Sequence, residues 1–195
     1  MLNNIAKLLD ITINRANQVT RWIARLGGII LLASVFMIVA EILFRKVASL
    51  SIIPATEISG YFMAIIASWS FAYAMLEKAH IRIDIFYLKS CNKVRNFLDI
   101  LAIFSLVFIS IFATDAVFSV TLDTYESDAH SNSPLMAPLW IPQFLWMFGF
   151  MWFSFSVSLL LLRALVALLQ QDQKKFSHML SSPSVEDHVN EVARN

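Results

Sequence analysis

Long runs of apolar side chains, interrupted at intervals by short charged or Pro-containing segments, dominate this sequence. Four runs stand out, at about residues 26–46, 55–76, 97–122 and 139–163. The first reads LGGIILLASVFMIVAEILF, and the last stays uncharged from Leu139 until Arg163. A bilayer core of about 30 Å is crossed by about 20 mostly apolar residues in a helix. A barrel strand would instead show about ten residues of alternating pattern. The pattern therefore predicts an all-α membrane protein with four transmembrane helices.

Two further segments have helical periodicity of another kind. In residues 1–25, apolar side chains recur at Leu2, Ile5, Leu9, Ala16, Val19 and Ile23, with Lys7, Arg15 and Arg21 between them. That spacing predicts an amphipathic helix lying on the membrane, its basic side chains open to anionic lipid headgroups. Gly27 and Gly28 are expected to turn the chain from the surface into the first span. Between spans two and three, Ile81, Ile85, Leu88, Cys91 and Val94 share one face, opposite Arg82, Lys89 and Lys93. This predicts a second interfacial helix. Residues 1–169 are thus expected to form one transmembrane domain, and 170–195, which have no period and contain Pro183, a polar tail.

Charge fixes the expected orientation, because Lys- and Arg-rich loops stay in the cytoplasm. Of the fifteen basic residues, only Arg45 and Lys46 fall on the side that holds Asp123, Glu126 and Asp128. Both termini are expected in the cytoplasm. The composition agrees with lipid as solvent: 58% hydrophobic and 15% charged, against about 45–50% and about 25% in an average soluble domain. Cys91 is the single cysteine, which excludes an internal disulfide or a cysteine metal cluster. A cleaved signal peptide is not expected, since the first apolar run comes late and no small-x-small site closes it.

Charges inside the apolar runs are costly and mark protein- or water-facing positions. Glu41, Arg45, Glu57 and Asp115 are the candidates. Glu41 and Arg45 have the i, i+4 spacing of an intrahelical ion pair, and Glu57 opens span two, where a carboxylate complements the helix dipole. All four are expected in one layer near the outer interface. Transport sites tend to lie near the midplane, so a structural or docking role is preferred to a proton site. Asp99 and Arg163, at the inner ends of their spans, are expected to snorkel. The four histidines, His80, His130, His178 and His188, fall outside the apolar cores, so haem ligation between helices is not expected. No phosphate loop, metal-ligand spacing or nucleophile–base pattern occurs. The chain is not expected to be an enzyme or to hold a cofactor.

Four segments resemble one family, the small (DctQ-like) membrane subunit of tripartite ATP-independent periplasmic (TRAP) transporters. AEILFRKV ends span one with Arg45; ATEISGYF opens span two with Glu57; AMLEKAHIRIDIFY carries Lys78, His80 and Asp84; and PLMAPLWIPQFLWMFGF carries Pro138, Trp140, Pro142 and Gly149. The chain departs from the family's usual tryptophan and double acid at the start of span two, and has Ala67, Ser68 and Trp69 where a small pair is common. The resemblance implies a bacterial inner-membrane scaffold that binds no substrate. Its partners would be membrane lipid, a large (DctM-like) elevator subunit and a periplasmic substrate-binding protein, with no nucleic acid. The whole would import organic anions such as dicarboxylates or sialic acid with a sodium gradient. The charges in the apolar runs and the matched motifs together give the candidate partner-facing or structural positions: Glu41, Arg45, Glu57, His80, Asp84, Asp115, Trp140 and Pro142. Asp84 is expected to cap the second surface helix. Two other readings stand beside this one. The first is a self-sufficient proton-coupled transporter using Glu41, and the second a membrane anchor of another complex.

Overall fold

A computed structural model describes residues 2–48, 54–77, 92–133 and 135–170. Its helices are α1 (Leu2–Ala48), α2 (Ala55–Leu76), α3 (Asn92–Glu126) and α4 (Trp140–Leu169). All four are long and apolar enough to cross a membrane, as the apolar runs predict. The second surface helix expected over 81–98 lies mostly outside the described residues; its last turns are the start of α3. The tail after Gln170 lies outside them too.

Local chemistry explains the helix ends. Proline has φ fixed near −65° and no N–H, and Pro54, at φ −74°, precedes α2 and accepts from the N–H groups of Glu57 and Ile58. Pro142 falls in the first turn of α4, where a missing N–H costs nothing. Beyond the end of α3, Asp128 turns the chain at φ +46°, a conformation that short polar side chains adopt more readily than most.

The central element is α4, which packs on α1, α2 and α3, while α3 packs chiefly on α4. Helices successive in the chain alternate in direction. α1 runs antiparallel to α4, with Asn3 bonded to Gln170, Asp10 to Arg163 and Thr20 to Trp152. α2 runs parallel to α4, with Trp69 donating to the Leu145 carbonyl at 3.1 Å and the Phe71 ring in tilted contact with Phe150 and Phe153. The core gathers Ala72, Ile103, Phe153, Val157, Ala164 and Ala167. The described chain ends therefore share one end of the bundle, the terminal end. The α3–α4 connection and the start of α2 share the other, the hairpin end.

Small residues set the closest approaches. A Cβ on Gly149 would fall 2.1 Å from Ser68 Oγ, so α2 and α4 cross with almost nothing between their backbones. The small residue that fills this crossing is Ser68, itself fully buried. Helices in lipid associate through close packing of this kind.

Two expectations are corrected. Gly27 and Gly28 do not turn the chain: α1 is one continuous helix of 47 residues, about 70 Å long at 1.5 Å per residue. Gly27 instead serves close packing, since a Cβ there would lie 2.9 Å from Ile66 Cγ2. The first turns of α1 also bury small side chains, Ala6, Ala16 and Thr20, and leave Leu8, Ile11 and Trp22 exposed. Nor do Asp99 and Arg163 snorkel; both are buried, at 2% and 1% exposure. Arg163 forms a two-pronged pair with Asp10, Nε to Oδ1 at 2.6 Å and Nη2 to Oδ2 at 3.2 Å. A guanidinium whose carboxylate partner lies on a neighbouring helix is held in the protein instead of stretching to water.

This pair yields a prediction. Asp10→Ala strands the Arg163 charge and should cost about 3 kcal/mol, whereas Asp10→Leu combined with Arg163→Met should cost less than the single change. Thermal unfolding in detergent checks the order, and equal losses in the two variants would contradict it.

Candidate functional site

The hairpin end gathers Glu41, Arg45 and Glu57 of the polar side chains singled out in the sequence, and the start of α2 is their common point. The first N–H groups of a helix have no partner within it. Pro54 offers no side-chain cap. Glu41, fourteen residues earlier on α1, supplies the acceptor instead: its Oε2 lies 3.4 Å from the Ala55 N–H. Its Oε1 takes Arg45 Nη2 at 2.5 Å, one turn along the same helix. Glu41 is buried, whereas the Arg45 side chain is 61% exposed. The predicted i, i+4 pair is therefore present, with a further function: one carboxylate neutralises Arg45 and caps a neighbouring helix at once. Negative charge there also complements the positive end of the α2 dipole.

Glu57 repeats the arrangement on the other side. It lies in the first turn of α2 and accepts from the Tyr61 hydroxyl one turn on. The hydroxyls of Ser131 and Ser133, from the α3–α4 connection, stand beside the same carboxylate. That connection is a small hairpin, closed by Ser131 N–H to the Ala137 carbonyl at 2.9 Å and Leu139 N–H to the Ala129 carbonyl at 3.1 Å. One helix start is thus capped by Glu41 of the preceding helix, while Glu57 Oε1 takes the Tyr61 hydroxyl and its Oε2 has no hydrogen-bond partner among the described residues. Trp140 completes the hairpin end, edge-on to Tyr125 with ring centres 5.8 Å apart and to Phe144 at 6.1 Å. Beside it, Phe118, Thr121, Leu122 and Tyr125 face Trp140, Phe144 and Met147 across an apolar groove of about 370 Å³.

Asp115 does not belong to this layer. Its neighbour Thr114 bonds Ser154 Oγ at 2.8 Å and the Phe150 carbonyl at 3.3 Å, and the Phe150 ring meets Phe71 at 5.8 Å between centres. Phe71 is 14 residues along α2 from Glu57, or about 21 Å. The expectation of one shared layer is corrected for this residue, because α3 and α4 pair in a register that carries Asp115 deeper. It is also exposed. His80 and Asp84 lie outside the described residues.

Sequence reading missed the Asp10–Arg163 pair and the interhelical bond from Trp152 Nε1 to Thr20 Oγ1 at 2.9 Å. Arg163 alone, as the single charge in the apolar run of α4, was the available signal. What the hairpin end can do chemically follows from its contacts. Its buried carboxylate, Glu41, is engaged in capping and ion pairing, an arrangement that fixes helices relative to one another.

Glu41→Ala should therefore destabilise the bundle by about 2 kcal/mol, through loss of a cap and a buried N–H left without an acceptor. Glu41→Gln should lose less, because the amide oxygen still accepts. Melting temperatures of the purified variants check the ranking; a Gln variant as unstable as the Ala variant would contradict it.

The described helices account for the order of the motifs along the chain, and comparison with known proteins supplies the family. The family model described as "Tripartite ATP-independent periplasmic transporters, DctQ component" matches residues 34–174, a stretch that begins in α1 and runs past the end of α4. No curated protein and no solved structure matches the chain. With four helices able to span a membrane and a match over most of its length, this chain belongs to the DctQ family, the small membrane component of TRAP transporters.

Proposed function

We propose that this subunit is the stationary, substrate-free scaffold of a sodium-driven importer of organic anions, bracing a large elevator-type membrane subunit. The observation that carries the reading is how the bundle uses its charges. An organic anion crossing among these helices would need a cation presented to it. Arg163 is the one basic side chain buried among the described residues, and Asp10 already holds it in a two-pronged pair. Two grooves between the described helices are lined almost wholly by apolar side chains, such as Ile30, Ile66 and Trp69 in one and Phe118 and Phe144 in the other.

In this reading the protein sits in the bacterial inner membrane with its terminal end in the cytoplasm, as the distribution of Lys and Arg supports. The first turns of α1 run alongside α4 toward that end. Leu8, Ile11 and Trp22 are exposed there next to Lys7, Arg15 and Arg25, apolar and basic side chains that suit the headgroup layer. At the hairpin end, the exposed Asp123, Glu126 and Asp128 with Leu135 and Met136 form an edge that receives the periplasmic binding protein. The alternative of autonomous proton-coupled transport through Glu41 is less well supported, because Glu41 is engaged by Arg45 and the α2 backbone.

Reconstitution tests the proposal. Uptake of a C4-dicarboxylate or sialic acid into proteoliposomes should require this subunit, the large subunit, the binding protein and an inward sodium gradient together. Solute uptake by vesicles holding this chain alone would refute it, as would full transport by the other components without it.

A further inference from the structure

Asp115 is the one charged residue of α3 between Asp99 and Asp123, about 24 Å from the first and about 12 Å from the second along the helix. It is exposed, and no hydrogen bond or ion pair involves it among the described residues. A carboxylate at such depth in hydrocarbon is costly unless protein or water receives it.

Its surroundings have a period. Leu101, Phe104, Phe108, Ile111, Phe118 and Leu122 are all exposed large apolar residues, and with Asp115 between Ile111 and Phe118 they alternate steps of three and four. This is the a/d pattern of a helix seam, in which a lone polar position specifies register and partner. The seam lies about 100° round α3 from the line of Ile103, Ser110, Val117 and Thr121 that is buried. It is therefore distinct from the packing face. Toward the hairpin end it runs into the α3–α4 groove, where Phe118 and Leu122 form one wall and Trp140 and Phe144 the other.

We infer that this seam and groove receive a transmembrane helix of the large subunit, which presents a Lys or Arg side chain to Asp115. The inference rests on the scaffold reading and names the surface by which the scaffold holds its partner. Charge chooses the occupant. Lipid tails would fill the groove yet leave the carboxylate without a donor. A second copy of this chain in the same orientation would set Asp115 against Asp115. A partner helix with apolar residues every three or four positions and one cation at the level of Asp115 satisfies both features of the face. The cation–carboxylate contact then fixes the vertical register of the two subunits, which an apolar seam alone leaves free to slide.

The test uses the full chain co-expressed with the large subunit of its transporter, with capture on a tag placed on this chain. Asp115→Leu should lower recovery of the large subunit about tenfold, the scale of a lost polar contact between helices in a bilayer, at unchanged amounts of inserted chain. Asp115→Glu should restore most of it. In a Cys91→Ser background, Phe108→Cys and Leu122→Cys should cross-link to the large subunit, and Phe36→Cys on α1 should not. Wild-type recovery by Asp115→Leu overturns the inference, as do Phe108→Cys cross-links that join only two copies of this chain. Failure of the wild-type chain to capture any large subunit would instead refute the scaffold reading beneath it.

Discussion

In hydrocarbon a polar side chain has no water to turn to, so it must be satisfied by protein or be carried at a cost. Much of this bundle can be understood from that constraint. Glu41 ends on Arg45 and on the first N–H of α2. Thr114 meets Ser154 across the α3–α4 contact, and Thr20 meets the Trp152 indole across the α1–α4 contact. Arg163 meets Asp10. All of these bonds except Glu41–Arg45 join different helices, so satisfying the polar atoms also fixes which helices are neighbours and in which register. Apolar packing alone would hold these helices together with much less preference for register, because lipid competes with it on nearly equal terms.

The number and kind of helices were legible in the sequence because they depend on length and hydropathy, which are local properties. The Glu41–Arg45 pair was legible for the same reason: i, i+4 on one helix needs no tertiary knowledge. What escaped was everything set by register between helices. Asp115 looked level with Glu57 when counted from the ends of apolar runs, yet the Thr114–Ser154 and Phe71–Phe150 contacts carry it far from that layer. Arg163 looked like a residue at an inner edge, and only the antiparallel pairing of α1 with α4 brings Asp10 to it. Gly27 illustrates a third kind of failure. Glycine permits a turn but also permits close approach, and sequence does not say which is used; the 2.9 Å separation from Ile66 decides for packing.

The start of α2 shows how a family motif acquires a physical meaning. Glu57 resembles the family's acidic residue, and in the fold it stands where two demands meet. The helix dipole favours a negative charge in the first turn, and the hydroxyls of Ser131 and Ser133 approach from the α3–α4 hairpin. Glu41 of α1 brings a second carboxylate to the same helix end, where it accepts from the Ala55 N–H.

The helices differ in how completely the chain surrounds them. α4 has neighbours in α1, α2 and α3, and carries much of the core in Phe153, Val157, Ala164 and Ala167. α3 rests mainly on α4 and turns a periodic apolar seam outward. A bundle that served only to satisfy itself would gain by burying that seam, at roughly 25 cal/mol for each Å² removed from water in an aqueous setting. In a bilayer that incentive vanishes, because lipid covers apolar surface as well as protein does. An exposed seam in the membrane is therefore neutral by itself, and it is Asp115, which lipid cannot satisfy, that distinguishes this face from an ordinary lipid-facing one.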